Sequence, residues 1–236
     1  ILTRGVRVAQ PFFKTPFLHN YMDLTKLAFH NLNDTSWNHN RHYYKYILNK
    51  IPNPCEMALD IGCGNGELCR LMADRSKSVF GVDLSENMIT NAENLTSEKN
   101  IKYINADIST CVFEPNSFDF IVSVATFHHL SYSEILEKIK QWLKKGGTLI
   151  ILDIYKEETV LDYLISLIAI PSNIFMNFIK NKALRQKENR AMKDHIKHDV
   201  YMPLKDIRKI VNSILPNAII RRHLFWRYSL IWKKEV

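Results

Sequence analysis

Short apolar runs alternate with amphipathic helical patterns from Met57 to Ile154, and that alternation predicts an α/β fold: a mostly parallel sheet with helices on both faces. Two further observations say where a ligand should sit. Gly62, Gly64 and Gly66 alternate in Met57-Ala-Leu-Asp-Ile-Gly-Cys-Gly-Asn-Gly66, at the end of the first run. The whole chain has only seven glycines, so three within five positions mark a turn that lets backbone approach a ligand closely. Asp83 closes the next apolar run, 21 residues after Gly62. An acidic residue at that spacing is placed to accept hydrogen bonds from ribose hydroxyls.

The elements follow in order. Residues 16–52 read as helical and aromatic-rich, stopping before Pro52 and Pro54. Strands are expected at 57–61, 78–83, 101–106, 118–124 and 148–154, with helices at 66–76, 85–97 and 131–144. Ser131-Tyr-Ser-Glu134 has the form of a capping box, and Ile135, Ile139, Trp142 and Leu143 give that helix one apolar face. Gly146-Gly147 is expected to terminate it.

Beyond residue 154 the alternation stops. An apolar stretch, Val160 to Ile170, breaks at Pro171-Ser-Asn173 and resumes from Ile174 to Ile179 before a basic run, Lys180 to His198. Residues 155–200 are therefore expected to form a helical cap over the site, with a peripheral membrane contact as the alternative. Asp162, Pro171 and Asn173 interrupt any apolar span of the roughly 20 residues that a membrane crossing needs. Pro203 is expected at the first position of a helix with Leu204, Ile207, Ile210, Val211 and Ile214 on one face. Residues 218–233 read as two tightly joined strands. The organisation is one domain over 1–236: an N-terminal helical cap (16–52), a cofactor core (55–154), a cap insertion (155–200) and a C-terminal helix with a strand pair (201–236).

Charge divides along the same lines. The net +8 splits into +5 for residues 1–54, −5 for 55–154 and +8 for 155–236. The basic flanks suit an anionic acceptor, an anionic surface or a solvated basic face. Cys55, Cys63, Cys69 and Cys111 form no C-x-x-C pair and have no histidine at zinc spacing, so no metal site is expected. Residues 4–20 lack the continuous apolar core of a signal peptide.

The glycine pattern selects among nucleoside cofactors. A dinucleotide fingerprint would place its third glycine at position 67, which is Glu67, and no Gly-Lys-Ser/Thr follows for a P-loop. Asp60 stands just before the turn, where a carboxylate would repel pyrophosphate. A cofactor without phosphate and with a cationic end suits that carboxylate, and S-adenosylmethionine has both properties.

At these residues, and in order through position 154, the chain resembles the class I S-adenosylmethionine-dependent methyltransferases, of the type 11-like group that acts on small molecules. The resemblance implies a Rossmann-like sheet of seven strands with the last antiparallel. It implies that Asp60, Gly62, Gly64 and Gly66 surround the methionine part of the cofactor and that Asp83 takes the ribose. Leu84 and Met88 would lie by the adenine ring. Ala106, Asp107 and Ile108 match the loop in which an acidic side chain accepts the adenine amino group, though Asp107 placed there also suits capping the next turn. The segment 123–130, Ser-Val-Ala-Thr-Phe-His-His-Leu, follows the fourth strand of the core and begins with Ser123 at the cofactor. A reducing cytoplasm suits free thiols and such a cofactor.

Methyl transfer from a sulfonium is an in-line displacement, so the protein mainly aligns the acceptor. A hydroxyl acceptor gains from a general base, which histidine suits. Phe127-His-His-Leu130 is similar to a segment of small-molecule methyltransferases in which a histidine pairs with an aspartate ending the fifth strand. The matching residues are His128 and Asp153, with His129 on the acceptor side. Capping of the next helix explains the same histidines without proton transfer. Trp37, His39 and Tyr43 are candidates to line the acceptor pocket, and equally candidates for helix packing.

Rival functions fare less well. Exocyclic-amine methyltransferases of nucleic acids typically carry Asp/Asn-Pro-Pro-Tyr/Phe after the fourth strand, where this chain has Ala125-Thr-Phe-His128. Base C5 enzymes need a Pro-Cys nucleophile there, and Pro54-Cys55 lies ahead of the first core strand. A protein substrate has no specific support, and a non-catalytic scaffold would not need the intact glycine turn and Asp83. The expectation is methyl transfer to a small acceptor, with the acceptor atom (O, N, S or C) and the oligomeric state left open.

Overall fold

The computed structural model describes residues 6–8, 39–158, 201–224 and 226–235. Most of the expected N-terminal helix, Trp37, and nearly all of the expected 155–200 cap therefore lie outside the described residues. The main sheet contains β2 (Met57–Ile61), β3 (Ser78–Asp83), β4 (Ile101–Asn105), β6 (Phe118–Val124), β7 (Leu143–Ile154), β8 (Ile219–Arg222) and β9 (Arg227–Lys233). Their spatial order is β4-β3-β2-β6-β7-β9-β8, with β2, β3, β4, β6 and β7 parallel and β9 antiparallel to both neighbours. This is the seven-stranded Rossmann-like sheet that the sequence predicts.

Helices pack on both faces, as near-continuous apolar strands require. On one face α4 (Tyr132–Trp142) and α5 (Leu204–Ile214) bury Ile135, Ile139, Ile207 and Val211 against Leu59, Ile121, Leu149 and Ile151. On the other, α1 (Tyr44–Leu48), α2 (Glu67–Ala73) and α3 (Glu86–Leu95) pack Ile47, Leu68, Met72 and Ile89 against Ala58, Val79, Val122 and Ile150. The chain builds β2, β3 and β4 outward, then returns to place β6 on the opposite side of β2. That reversal opens a crevice between β2 and β6 at their carboxyl ends, where open α/β sheets bind ligands.

Several local expectations are corrected. The helix expected over 131–144 ends at Trp142, because Leu143 already pairs with Phe118 as the start of β7. Gly146 and Gly147 therefore sit inside β7 rather than ending a helix, and Gly146 takes a left-handed φ of +77° in its irregular first half. Ser131 is the N-cap of α4, but its side chain makes no capping hydrogen bond. Pro203 is the N-cap of α5 instead of its first helical residue; its ψ of 147° is extended.

A second, two-stranded sheet was not foreseen: β1 (Val6–Val8) pairs antiparallel with β5 (Cys111–Phe113). Strands of three residues carry too little periodicity to read. β5 nevertheless inserts Phe113 into the core, edge-on to Phe118 at 5.1 Å and to Trp142 at 5.0 Å.

Asp119 staples three strands at the amino edge of the sheet. Its Oδ2 accepts the backbone N–H groups of Glu56 and Met57, at 3.0 and 2.9 Å, and Lys144 Nζ lies 2.9 Å from both carboxylate oxygens. Removing the carboxylate leaves two backbone donors and an ammonium to water. Asp119→Ala should therefore lower the unfolding free energy by about 2 kcal/mol, read from urea titrations; a loss below about 0.5 kcal/mol would mean that water replaces the staple fully.

Candidate active site

β2 ends in the glycine turn, and its hydrogen bonds show what each glycine is for. Gly62 and Cys63 both donate backbone N–H to Val82 O, at 2.8 and 3.0 Å, which locks the turn to β3. Gly62 has φ +74°, and a Cβ there would stand 2.1 Å from Thr126 Oγ1. Gly66 has φ +75°, and a Cβ there would stand 2.2 Å from the Tyr103 hydroxyl. These two glycines thus make room for the protein itself. Gly64, φ +53°, has nothing within 4 Å of its would-be Cβ. It alone presents bare backbone to an open cradle.

Asp83 supports that cradle. Its Oδ2 accepts Gly64 N–H at 2.9 Å and its Oδ1 accepts Ser85 N–H at 2.8 Å, so one carboxylate clamps the turn and caps α3's approach. Burial raises its pKa, and those two bonds oppose the rise. Each oxygen retains a second lone pair for ribose hydroxyls. Leu84 is exposed and Met88 half-buried beside it, an apolar shelf at the β3 end. Asn105 donates its amide to Asp83 O and Leu84 O, which ties that shelf to β4.

Two expected cofactor residues make bonds within the protein. Ser123 is fully buried, and its hydroxyl donates to Ile61 O at 2.9 Å, so it braces β6 to β2 inside the sheet. Asp107 caps the short 3-10 turn Ile108–Thr110 through Oδ1 to Ser109 N–H at 2.8 Å, the capping alternative noted above. Its side chain is exposed, next to half-buried Ala106 and buried Ile108.

Asp60 is only 2% exposed, and among the described residues it accepts a hydrogen bond from the Cys69 thiol, Sγ to Oδ2 at 3.4 Å. Burial pushes its pKa up to about 7; the Cys69 bond opposes this and the Asp83 charge adds to it. A buried carboxylate with so weak a partner suits a neighbouring cation, and the ammonium end of S-adenosylmethionine is one. The bare Gly64 backbone, the Asp83 carboxylate and the unbalanced Asp60 together suit that cofactor, and Asp60 disfavours a phosphate in the turn.

The residues around the turn continue into the N-terminal segment. Arg41 Nη2 lies 2.5 Å from Glu67 Oε1, pinning a 3-10 turn (Arg41–Tyr43) to the first turn of α2. Tyr44 lies close enough to Glu67 and Asp60 for both to raise its hydroxyl pKa, after burial. His39 and Tyr43 turn toward the β8–β9 hairpin. Tyr43 donates to Leu224 O at 2.7 Å, and His39 stands edge-on to Trp226 at 6.3 Å. Both are packing contacts.

At the opposite side of the crevice the chain leaves β6 through Ala125, a non-glycine residue at φ +53°, into the 3-10 turn Phe127–His129. This reversal brings His128 onto the end of β7. His128 Nδ1 lies 2.7 Å from Asp153 Oδ1, and its backbone N–H donates to Asp153 Oδ2 at 2.7 Å. Asp153 Oδ1 also accepts Ile154 N–H at 2.7 Å. The His128 side chain is 6% exposed and the Asp153 side chain 1%. A carboxylate offers no proton, so it requires N–H at Nδ1 and leaves the imidazole lone pair on Nε2. His129, exposed, lies against His128 with ring centroids 3.9 Å apart.

Sequence reasoning missed Arg227 and Tyr201. Arg227 is 8% exposed and donates through Nε and Nη2 to Asn40 Oδ1, at 3.3 and 3.0 Å. Burial lowers its pKa, opposed by Asp153, Tyr43 and Tyr201. Tyr201's ring centroid lies 5.1 Å from that of His128. Only Arg227's place in the alternating segment 221–228 hinted at burial, and nothing local pointed to its partners across the fold.

A methyltransferase-domain family model matches residues 59–151, which hold the glycine turn, Asp83 and the segment after β6. The chain is a class I S-adenosylmethionine-dependent methyltransferase. S-adenosylmethionine is its cofactor. An uncharacterised methyltransferase of Mycobacterium tuberculosis is 29% identical over 204 residues, covering 86% of this chain and all of the relative. Among solved structures, a Pyrococcus horikoshii protein superposes with a TM-score of 0.62 at 17% identity, over 95% of this chain and 100% of that one. Phosphoethanolamine N-methyltransferase 2 of Haemonchus contortus, solved with phosphomonomethylethanolamine and S-adenosylhomocysteine, superposes with a TM-score of 0.59 at 22% identity, over 88% of this chain and 44% of that one. At these identities the two structures establish the fold alone.

Two measurements check the methyltransferase's cofactor cradle. Gly64→Ala adds a methyl group only to open space, so its stability loss should stay at about 1–2 kcal/mol, the cost of a left-handed alanine. Its affinity for S-adenosylhomocysteine should fall at least about tenfold, or 1.4 kcal/mol; calorimetry showing an unchanged Kd would put the ligand elsewhere.

Asp60 generates a pH dependence. Between its ordinary value near 4 and its folded value of about 7, the native state holds a proton that the unfolded chain has lost. Stability of the ligand-free protein should therefore fall as pH rises through that window. Affinity for S-adenosylhomocysteine should move oppositely, rising up to about tenfold per unit from pH 5 and levelling above 7, because its ammonium favours the ionised carboxylate. Asp60→Asn should flatten both profiles; a slope that survives belongs to another group.

Proposed function

We propose that the enzyme methylates a hydroxyl oxygen of a small molecule, with His128 as general base and Asp153 as the group that orients it. The observation that supports this reading is the doubly bonded pair: Asp153 accepts both the Nδ1 and the backbone N–H of His128, each at 2.7 Å. A histidine that merely capped α4 would not need its ring fixed. Fixing the ring restricts Nε2 to one direction at the end of β6, beyond the carboxyl edge of the sheet.

When bound, S-adenosylmethionine supplies an electrophilic methyl group on a sulfonium. Gly64 backbone, Asp83 and Asp60 hold and orient the cofactor. The wall from Ala125 to His129 sets the acceptor's approach, and alignment along the transfer direction accounts for much of the rate. His128 Nε2 takes the hydroxyl proton as the oxygen becomes nucleophilic, and Asp153 stabilises the resulting imidazolium. The Haemonchus contortus neighbour is a phosphoethanolamine N-methyltransferase, an enzyme of an amine nitrogen. An amine reaching the enzyme already deprotonated needs no base, whereas a hydroxyl makes use of an oriented imidazole.

A screen of hydroxylated metabolites with labelled S-adenosylmethionine identifies the acceptor, and His128→Ala then tests the role. Turnover should drop by about 10²–10⁴-fold, and the acid limb of the pH–rate profile should vanish. S-adenosylhomocysteine affinity should hardly move. A variant within about threefold of wild type that keeps its acid limb overturns the base role.

A further inference from the structure

Beyond the ends of β6 and β7, between the start of α4 and the first turns of α5, lies a cavity of about 350 Å³. It is distinct from the glycine cradle, and His128 and Asp153 form part of its wall. Buried Phe127, Ile207 and Tyr228 line its depth, while half-buried Leu130, Met202 and Ile210 line its rim. The volume is at the small end of the roughly 300–1,000 Å³ typical of ligand pockets.

The buried polar groups in this wall are turned toward each other, while Ser133 stands exposed at its edge. Tyr132 and Tyr228 pair their hydroxyls at 2.9 Å, and burial raises the pKa of both. Asp153 accepts three hydrogen bonds from His128 and Ile154, out of about four sites on a carboxylate. No lysine or arginine appears among the described lining residues. Among the described residues, Lys156, Lys205, Arg208 and Arg222 line a separate cavity of about 120 Å³, where Glu158 pairs with Lys205 at 2.7 Å. A phosphate or carboxylate entering the larger cavity would lose its water and meet no lysine or arginine among the described lining residues.

We propose that this larger cavity is the acceptor subsite and that it selects an uncharged aromatic or alkyl body carrying the reacting hydroxyl. The proposal rests on the reading of His128 as the acceptor-side base, since that reading places the reacting oxygen at the cavity's wall. It replaces the anionic acceptor that the basic flanks suggested. The apolar walls hold the body, and the His128 ring beside them meets the single polar atom.

A series of 4-alkylphenols, from methyl to heptyl, tests this by calorimetry on the full chain saturated with S-adenosylhomocysteine. Affinity should rise about fourfold per methylene, the value of one buried CH₂, until the cavity is full, and then level. 4-Hydroxybenzoate, the anionic arm, should bind more weakly than 4-ethylphenol. Ile210→Trp, which fills the rim, should bring the plateau forward by several carbons without changing S-adenosylhomocysteine affinity. Met202→Trp, at a second rim position, should do the same if the first variant folds poorly. A flat series, tighter binding of the benzoate, or a series unmoved by both substitutions overturns the proposal. Methyl transfer to bound phenols is scored separately: a normal binding series with no transfer, or with transfer indifferent to His128→Ala, overturns the base reading and leaves the apolar subsite standing.

Discussion

Where β2 ends, Gly62 turns its backbone to φ +74° and leaves a space that Thr126 occupies. The two sides of the crevice are joined at that contact. Any side chain at position 62 would push the segment after β6 away from the cofactor turn. Displacing that segment would carry His128 off the end of β7, because Ala125 and His128 are both anchored there, to Leu152 O and to Asp153. The cofactor cradle and the His128–Asp153 pair are thus not independent features set on one sheet. Besides the β2–β6 pairing, one close approach joins them, and only a residue without Cβ permits it.

The site separates two jobs that carboxylates can do. Asp83 and Asp153 accept backbone N–H groups and so act as rigid parts of the frame before any ligand arrives. Asp60, by contrast, has little more than a thiol to bond and resists ionisation near neutral pH because it is buried. A site built this way keeps its geometry in the absence of ligand and concentrates its unbalanced electrostatics at one carboxylate. Buried charge costs free energy unless paired, so a cation such as the ammonium end of the cofactor is the partner that Asp60 suits.

How far this was legible in the sequence depends on the range of the interaction. β2, β3 and β6 match the expected bounds because each is a buried run closed by a turn residue, and the same logic placed the glycine turn and Asp83. The pairing of His128 with Asp153 came through resemblance to a family, since 25 residues separate the two and no local pattern joins them. Ser123 misled because its position beside the crevice says nothing about which way a strand residue faces; alternation sends it into the β2–β6 interior. The start of β7 was read as helix because Leu143 continues the apolar spacing of α4, and only its pairing with Phe118 decides the matter. Arg227 was invisible in its role, because its partners Asn40 and Asp153 come from distant parts of the chain.

Arg227 also explains how a basic chain can present an apolar acceptor cavity. The C-terminal third carries a net +8, yet Arg227, the most buried basic residue among those described there, donates to Asn40, with Asp153 favouring its charge. A buried guanidinium is costly alone and tolerable when its donors are bonded and a carboxylate lies near. The charge of Arg227 interacts favourably with Asp153, and Arg227 is not among the described residues that line the cavity. It also joins the His128–Asp153 pair to Asn40, whose neighbour Arg41 is pinned to Glu67 beside the glycine turn. The N-terminal segment therefore touches both the cofactor turn and the frame of the base. Packing of residues 39–43 is in this way part of what positions His128, although none of their side chains lines the acceptor cavity.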